Sequence, residues 1–176
     1  MKNTIIKYGI ISGSIAGLLL FLATLIFKNI GIDKVGFDNF GYFGFTLILI
    51  SMMIIFFGIK SFRDLQSDGV ITFGKCFLTG LGILLISSII YSLSWVIIYH
   101  FFLPTFMDDF ANYYINQTKN SGGSQVELAN KLQEVNQMKE WYKTPFSVFA
   151  ITLLEPIPVG LLVTIVSAFI LRKKAI

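Results

Sequence analysis

Of the chain's 176 residues, 55% are hydrophobic and only 14% are charged, and its mean hydropathy is +0.74. A soluble domain carries about 25% charged residues, so this composition excludes the ordinary soluble class and places the chain in a membrane. The formal charge of +4 does not point to nucleic acid, because the basic residues sit at the ends of apolar runs, where they act as topology signals.

Residues 1–7 are short and basic, and 8–27 form an unbroken apolar run, about 30 Å long as a helix and enough to cross a bilayer. The run is long for a signal-peptide core and ends at Phe27-Lys28-Asn29 without a small-x-small cleavage site. It therefore reads as a retained first span. Gly9, Gly13 and Gly17 recur every four residues on one face, a spacing that lets another helix backbone approach closely, either within the subunit or across a dimer. Residues 28–39 read as a short polar loop and 40–59 as a second span, so the first two helices form a hairpin. A polar connector follows over 60–72, with Lys60, Arg63, Asp64 and Asp68 and an expected turn at Asp68-Gly69.

The third span covers 74–102. Ser88, Ser92, Trp95 and Tyr99 fall at helical spacings along one of its faces, with Ser87 and Tyr91 beside them. Residues 104–144 are the sizeable extramembrane part. Pro104 opens a helix that carries Phe106, Phe110 and Tyr113 on one face and stops before Ser121-Gly122-Gly123. Ser124-Gln125-Val126-Glu127 is a capping box, from which a second helix carries Leu128, Leu132 and Val135. Two apolar stripes joined by a Gly-Gly turn predict an antiparallel helical hairpin and a candidate interaction surface, its stripes meeting each other or the membrane. The hairpin's charges nearly balance, which argues against strong attraction to anionic lipid. Trp141 and Tyr142 then stand as interfacial anchors. The fourth span, 146–171, ends in Arg172-Lys173-Lys174. The flanking bases predict both termini in the cytoplasm and the hairpin outside. The expected fold class is thus all-α, an integral membrane four-helix bundle in a single domain over 1–176.

The fourth span holds the chain's most expensive residue. Glu155 lies in Thr152-Leu153-Leu154-Glu155-Pro156-Ile157-Pro158-Val159-Gly160, and an acid at a helix centre in a bilayer costs roughly 2.5 to 3.5 kcal/mol or more. Pro156 and Pro158 remove two backbone donors and are expected to push the residues before them off helical angles, kinking or opening the helix beside the acid. Such a segment has to be buried in protein. Counted inward from the outer ends, Glu155, Ser92 and Trp95 reach similar depth, about 14 Å inside. The hydroxyls of the third span, Ser88, Ser92 and Tyr99, with Trp95 beside them, are the expected partners of the carboxylate, unless they bond their own helix backbone.

Four spans, Thr72-Phe73-Gly74-Lys75 entering the third, Tyr91-Ser92-Leu93-Ser94-Trp95 within it, Glu155-Pro156-Ile157-Pro158-Val159-Gly160 and the basic tail together resemble the bacterial family catalogued as domain of unknown function 4199, along essentially the whole chain. The resemblance implies a Bacteroidota inner-membrane protein with its hairpin in the periplasm. It transfers no catalytic residues, because that family has no established activity.

Chemistry is narrowed further by what the chain lacks. One cysteine, Cys76, leaves no internal disulfide, and one histidine, His100, leaves no multi-histidine metal site. There is no His-Glu-x-x-His, Cys-x-x-Cys, Gly-x-Ser-x-Gly or phosphate-cradling glycine loop. No cofactor, metal or catalytic residue is assigned, and an enzyme relying on Glu155 alone is the weaker expectation. The first functional expectation is an accessory or assembly protein that docks a partner or self-associates through its helices and hairpin. The second is a small transporter or ligand-binding protein with a Glu155 cavity. The third is an outer-leaflet lipid-binding or lipid-modifying protein using the hairpin's aromatics. The lipid bilayer is a partner in all three.

Overall fold

A computed structural model describes residues 1–67 and 69–173. In chain order the elements are α1 (Lys2–Ile30), α2 (Ile32–Val35), α3 (Phe37–Met52), α4 (Ile54–Gln66), α5 (Phe73–Phe102), α6 (Phe106–Asn120), α7 (Gln125–Trp141), α8 (Pro145–Leu154) and α9 (Pro156–Leu171). Four helical stretches, Lys2–Ile30, Phe37–Gln66, Phe73–Phe102 and Pro145–Leu171, are long and apolar enough to cross a membrane. The chain is an all-α membrane protein. Its described residues are otherwise joined by an isolated antiparallel bridge between Ile71 and Lys173.

Several boundaries differ from the expected ones. The loop over 28–39 contains the single turn α2, held between Gly31 and Gly36, whose φ values of 96° and 94° are open to glycine without steric cost. The second span runs on to Gln66, so half of the expected polar connector is helix. There Ile59 and Phe62 are buried while Lys60 and Asp64 face out, and the Gln66 amide donates to the Thr4 hydroxyl at 2.8 Å. An amphipathic end of this kind continues a helix past the apolar run. Gly69 takes φ 77°, as a turn requires, while Asp68 and Lys174 lie outside the described residues.

The second span is also broken at Met53, between α3 and α4. Beside the break the Ser51 hydroxyl donates to the Ile48 carbonyl at 2.8 Å. The Ser12 hydroxyl donates to the Ser51 carbonyl at 2.8 Å and accepts from the Ser87 hydroxyl at 2.9 Å. Hydroxyls that engage backbone carbonyls loosen the helical ladder. The same three buried serines tie the first three spans together.

Helix α5 is central, packing against α1, α4, α8 and α9. Its seam with α1 is built on the glycine stripe. A β-carbon at Gly9 would lie 2.7 Å from the Ile86 β-carbon, one at Gly13 would lie 2.7 Å from that of Ile90, and one at Gly17 would collide with Ser94. The close approach is therefore made within one chain. On the other side Gly80 abuts Thr164 and Gly160 abuts Leu84, which sets an antiparallel α5–α9 register.

The amino terminus bonds Gln66 at 2.6 Å, and the Ile71–Lys173 pairing closes with N···O distances of 3.0 and 2.9 Å. Met1, Gln66, Ile71 and Lys173 thus share one end of the bundle, and the α6–α7 hairpin stands at the other. The capping box forms: the Glu127 amide donates to the Ser124 hydroxyl at 3.2 Å, and the Ser124 amide donates to the Glu127 carboxylate at 2.7 Å. Lys139 pairs with Asp108 across the hairpin at 2.6 Å. The apolar face of α6 does not pack on α7 alone. Phe106, Phe110 and Tyr113 close around the Phe37 ring of α3, with centroids 5.4, 5.5 and 5.4 Å away. On α7, Val135 is buried and Leu128 half-buried, while Leu132 is exposed. The α6 stripe goes to the bundle because Gly36 turns Phe37 up into its path.

Candidate functional site

The site is built around the break between α8 and α9. Glu155 has φ −61° and ψ −47°, helical values, so Pro156 does not push it off helical angles as expected. Pro156 instead opens α9 at its first position, where a missing N–H leaves no bond unmade. The strain is relieved by starting a new helix. At the join the Glu155 amide donates to the Thr152 carbonyl, three residues back, at 3.2 Å.

The carboxylate's partner differs from the expected one. The Tyr91 hydroxyl donates to Glu155 Oε2 at 3.3 Å. Ser92 donates to the Ser88 carbonyl of its own helix at 2.8 Å, and the buried Ser88 hydroxyl has no hydrogen-bond partner. Tyr99 reaches the Tyr142 carbonyl at 3.5 Å. The α5–α9 register explains the difference. Continued from Gly80–Thr164 and Leu84–Gly160, it puts Ser88 opposite Pro156, which has no amide to offer. Ser92 is satisfied within its own helix and the short Ser88 hydroxyl does not reach the carboxylate, whereas the longer Tyr91 phenol spans to the next helix. Tyr91 precedes Trp95 by one helical turn, so their shared face was readable from spacing.

Beside the carboxylate lies a cavity of about 250 Å³, walled by Glu155, Tyr91, Trp95 and Tyr142 together with rings from α3 and α6. Phe40, Trp95 and Phe106 form a triangle, with centroid separations of 6.3, 5.5 and 6.0 Å. Among the described residues, Glu155 is the one charged residue in the wall. Gly41 and Gly44 supply part of the wall without side chains, and a β-carbon at either would meet nothing within 4 Å. That wall is open. Leu154, next to the acid, is 63% exposed, and Phe45, next to Gly44, is 52% exposed.

The structure thus joins two groups that the sequence left apart. Glu155 and Trp95 of the buried candidate set share a cavity with Phe106 and Phe110 of the hairpin set. Ser88, Ser92, Pro156, Pro158 and Tyr99 stay outside the wall, Tyr99 packing on Trp95 and Tyr142 at 6.4 and 5.5 Å. Tyr113 grips Phe37 instead, and Leu128, Leu132 and Val135 belong to α7, away from the cavity. Phe40, Gly41, Gly44 and Tyr142 also line it, along with Leu20, Phe37, Phe45 and Ile48. Of these, Gly41 and Gly44 carried a signal in their one-turn spacing near the start of the second span.

Outside the membrane, two phenols are held neutral. Burial, with the Glu155 charge adding to it, pushes the Tyr142 hydroxyl up to about 12. Burial and the Asp38 carboxylate that accepts its proton hold Tyr114 well above the usual tyrosine value. A second, open cleft of about 1040 Å³ lies between the hairpin-side ends of α1 and α5 and the far side of α6, with Lys28, Asp109 and Asn112 in its walls. There Lys28 donates to the Phe102 carbonyl at 2.8 Å.

Residues 11–173 match a family model described as "Protein of unknown function (DUF4199)", a stretch that takes in the hairpin and the Glu155 site. No curated protein and no solved structure matches the chain.

Proposed function

Because the chain belongs to the DUF4199 family, whose function is itself unassigned, we propose a function from its own geometry: a bacterial inner-membrane protein that takes a small, largely apolar molecule from the outer half of the bilayer into the Glu155 cavity. One observation carries this reading. A carboxylate inside a membrane protein, with one hydrogen bond at 3.3 Å, opens onto an aromatic cavity with no lysine, arginine or histidine among the described residues that line it. An acid kept only as a structural latch is expected to be enclosed and fully bonded, since a half-satisfied buried polar group is costly. Apolar walls with a few convergent polar groups are the usual make-up of a ligand site. The Gly41–Gly44 wall is the entry, and Phe106, Phe110 and Tyr142 of the hairpin region roof the outer side.

In this reading both termini are cytoplasmic and the hairpin is periplasmic. Lys2, Lys7, Lys60, Arg63, Lys75, Arg172 and Lys173 flank the spans at the end that carries the termini, and such a bias favours the cytoplasmic side. No catalytic step is assigned. The accessory reading has support of its own, in that Val126 and Trp141 of α7 are 69% and 50% exposed and would offer a partner protein or a second copy an apolar foothold.

Gly44→Leu separates the two. It fills the open wall without touching Glu155 or the outer face of α7. Native mass spectrometry of protein extracted mildly from its own membrane should find one defined small molecule on the unsubstituted chain and none on Gly44→Leu. A stoichiometric second protein on both, with no small molecule on either, would replace the ligand reading with the accessory one.

A further inference from the structure

Resting on that cavity reading, we infer that the ligand of the Glu155 site is a protonated primary amine with a short apolar body. Charge comes first. Among the described residues Glu155 is the one carboxylate in a wall without lysine, arginine or histidine, so an anionic ligand would meet a like charge in a medium that screens poorly. A neutral ligand could add at most an uncharged hydrogen bond to the one from Tyr91. An ammonium group answers the carboxylate directly with a charge-assisted hydrogen bond.

The remaining walls fit the same group. The triangle of Phe40, Trp95 and Phe106 surrounds the space with ring systems whose faces attract cations, indole most strongly. The Tyr91 hydroxyl donates a hydrogen bond to Glu155, which leaves its oxygen lone pairs free to accept an N–H, and the neutral Tyr142 phenol has lone pairs of its own. A primary ammonium has three donors to distribute among these acceptors. A trimethylated one has none. Size sets the body: at about 30 Å³ for each water-sized group, a cavity of about 250 Å³ holds about eight heavy atoms, which is an amine of six or seven carbons. The ammonium could be carried by a free amphipathic amine or by an aminolipid headgroup.

The test uses Trp141→Phe protein, in which Trp95 is the remaining one of two tryptophans, reconstituted in phosphatidylglycerol vesicles. Hexylamine, hexyltrimethylammonium, hexanol and hexanoate are titrated while Trp95 fluorescence is read. Hexylamine should give a saturable response about tenfold tighter than hexanol or hexyltrimethylammonium, hexanoate should give none, and Glu155→Gln should erase the amine preference. A parallel set of vesicles containing phosphatidylethanolamine names the source: competition with hexylamine assigns a lipid headgroup, and its absence assigns a free amine. Equal affinity for hexylamine and hexanol, or a preference that survives Glu155→Gln, overturns the amine assignment and leaves the cavity reading standing. No saturable response to any probe overturns both. If Glu155→Gln fails to fold, the hexylamine-to-hexanol ratio in the protein with its glutamate intact decides.

Discussion

Replacing Gly13 by alanine sets two opposing effects against each other. Alanine is favoured over glycine inside a helix by about 1 kcal/mol. Against that, the new β-carbon would lie 2.7 Å from the Ile90 β-carbon, 3.0 Å from the Ser87 carbonyl oxygen and 3.1 Å from the Ser87 α-carbon. Carbon pairs rest at about 3.5 to 4.0 Å, and neither backbone nor a β-branched β-carbon can swing aside, so α1 and α5 must part by up to about 1 Å. Overpacking of this kind costs about 1–3 kcal/mol. Parting the helices also strains the neighbouring Ser87–Ser12 hydrogen bond at 2.9 Å, worth about 1 kcal/mol. The propensity gain and the hydrogen-bond loss roughly cancel, leaving a net destabilisation of about 1–3 kcal/mol. Gly41→Ala is the control, since its β-carbon meets nothing within 4 Å, and it should be neutral or stabilising by up to about 1 kcal/mol. The assay is unfolding in mixed micelles with increasing sodium dodecyl sulfate, read by helicity at two protein concentrations. Gly13→Ala as stable as Gly41→Ala would refute the close α1–α5 seam. A loss that depends on protein concentration would place the glycine stripe between copies of the chain.

Other expectations follow from single contacts. Phe37 is 5% exposed and its ring holds α6 to the bundle, so Phe37→Ala should weaken hairpin docking by about 3–5 kcal/mol; amide exchange over 106–141 should accelerate while α1 and α5 stay protected, and uniform acceleration would show that the hairpin and bundle unfold as one unit. Tyr91→Phe removes the donor to Glu155 and should cost about 1–3 kcal/mol, whereas Ser92→Ala should cost less, because Ser92 bonds its own helix; the reverse order in the same micelle titration would restore serine as the carboxylate's partner. Tyr114 has its folded value raised by burial and by Asp38, so its contribution is complete below the unfolded tyrosine value of about 10 and is lost as pH climbs through the folded value. Alkali should therefore loosen the α3–α6 contact, and ultraviolet titration should show one late-ionising phenol disappear in Tyr114→Phe; an unchanged titration would mean that Tyr114 is not held by Asp38.

The hairpin shows how far local pattern reaches and where it stops. Pro104, the Gly122-Gly123 turn and the Ser124–Glu127 box set its two helices within a residue or two, because capping and turn chemistry depend on neighbours in sequence. Where the Phe106, Phe110 and Tyr113 stripe would be buried was open, because an amphipathic face specifies that it must be covered and not by what. The carboxylate shows the same division. Its prolines marked the point where α8 gives way to α9, and depth counting put it level with Trp95, with which it shares a cavity wall. Its partner depended on an interhelical register set by Gly80, Leu84, Gly160 and Thr164, contacts distant in sequence.

Composition, the four apolar runs and the basic flanks determined by themselves that this is an all-α membrane protein of four spans with an extramembrane hairpin, because hydropathy, length and capping are local properties of a chain. Only the tertiary structure decided that Tyr91 rather than Ser92 meets Glu155, that three buried serines stitch the spans at Met53, and that hairpin and acid share one cavity. A cavity is the space left where helices meet and side chains such as those of Gly41 and Gly44 are missing, and that space belongs to no single stretch of sequence.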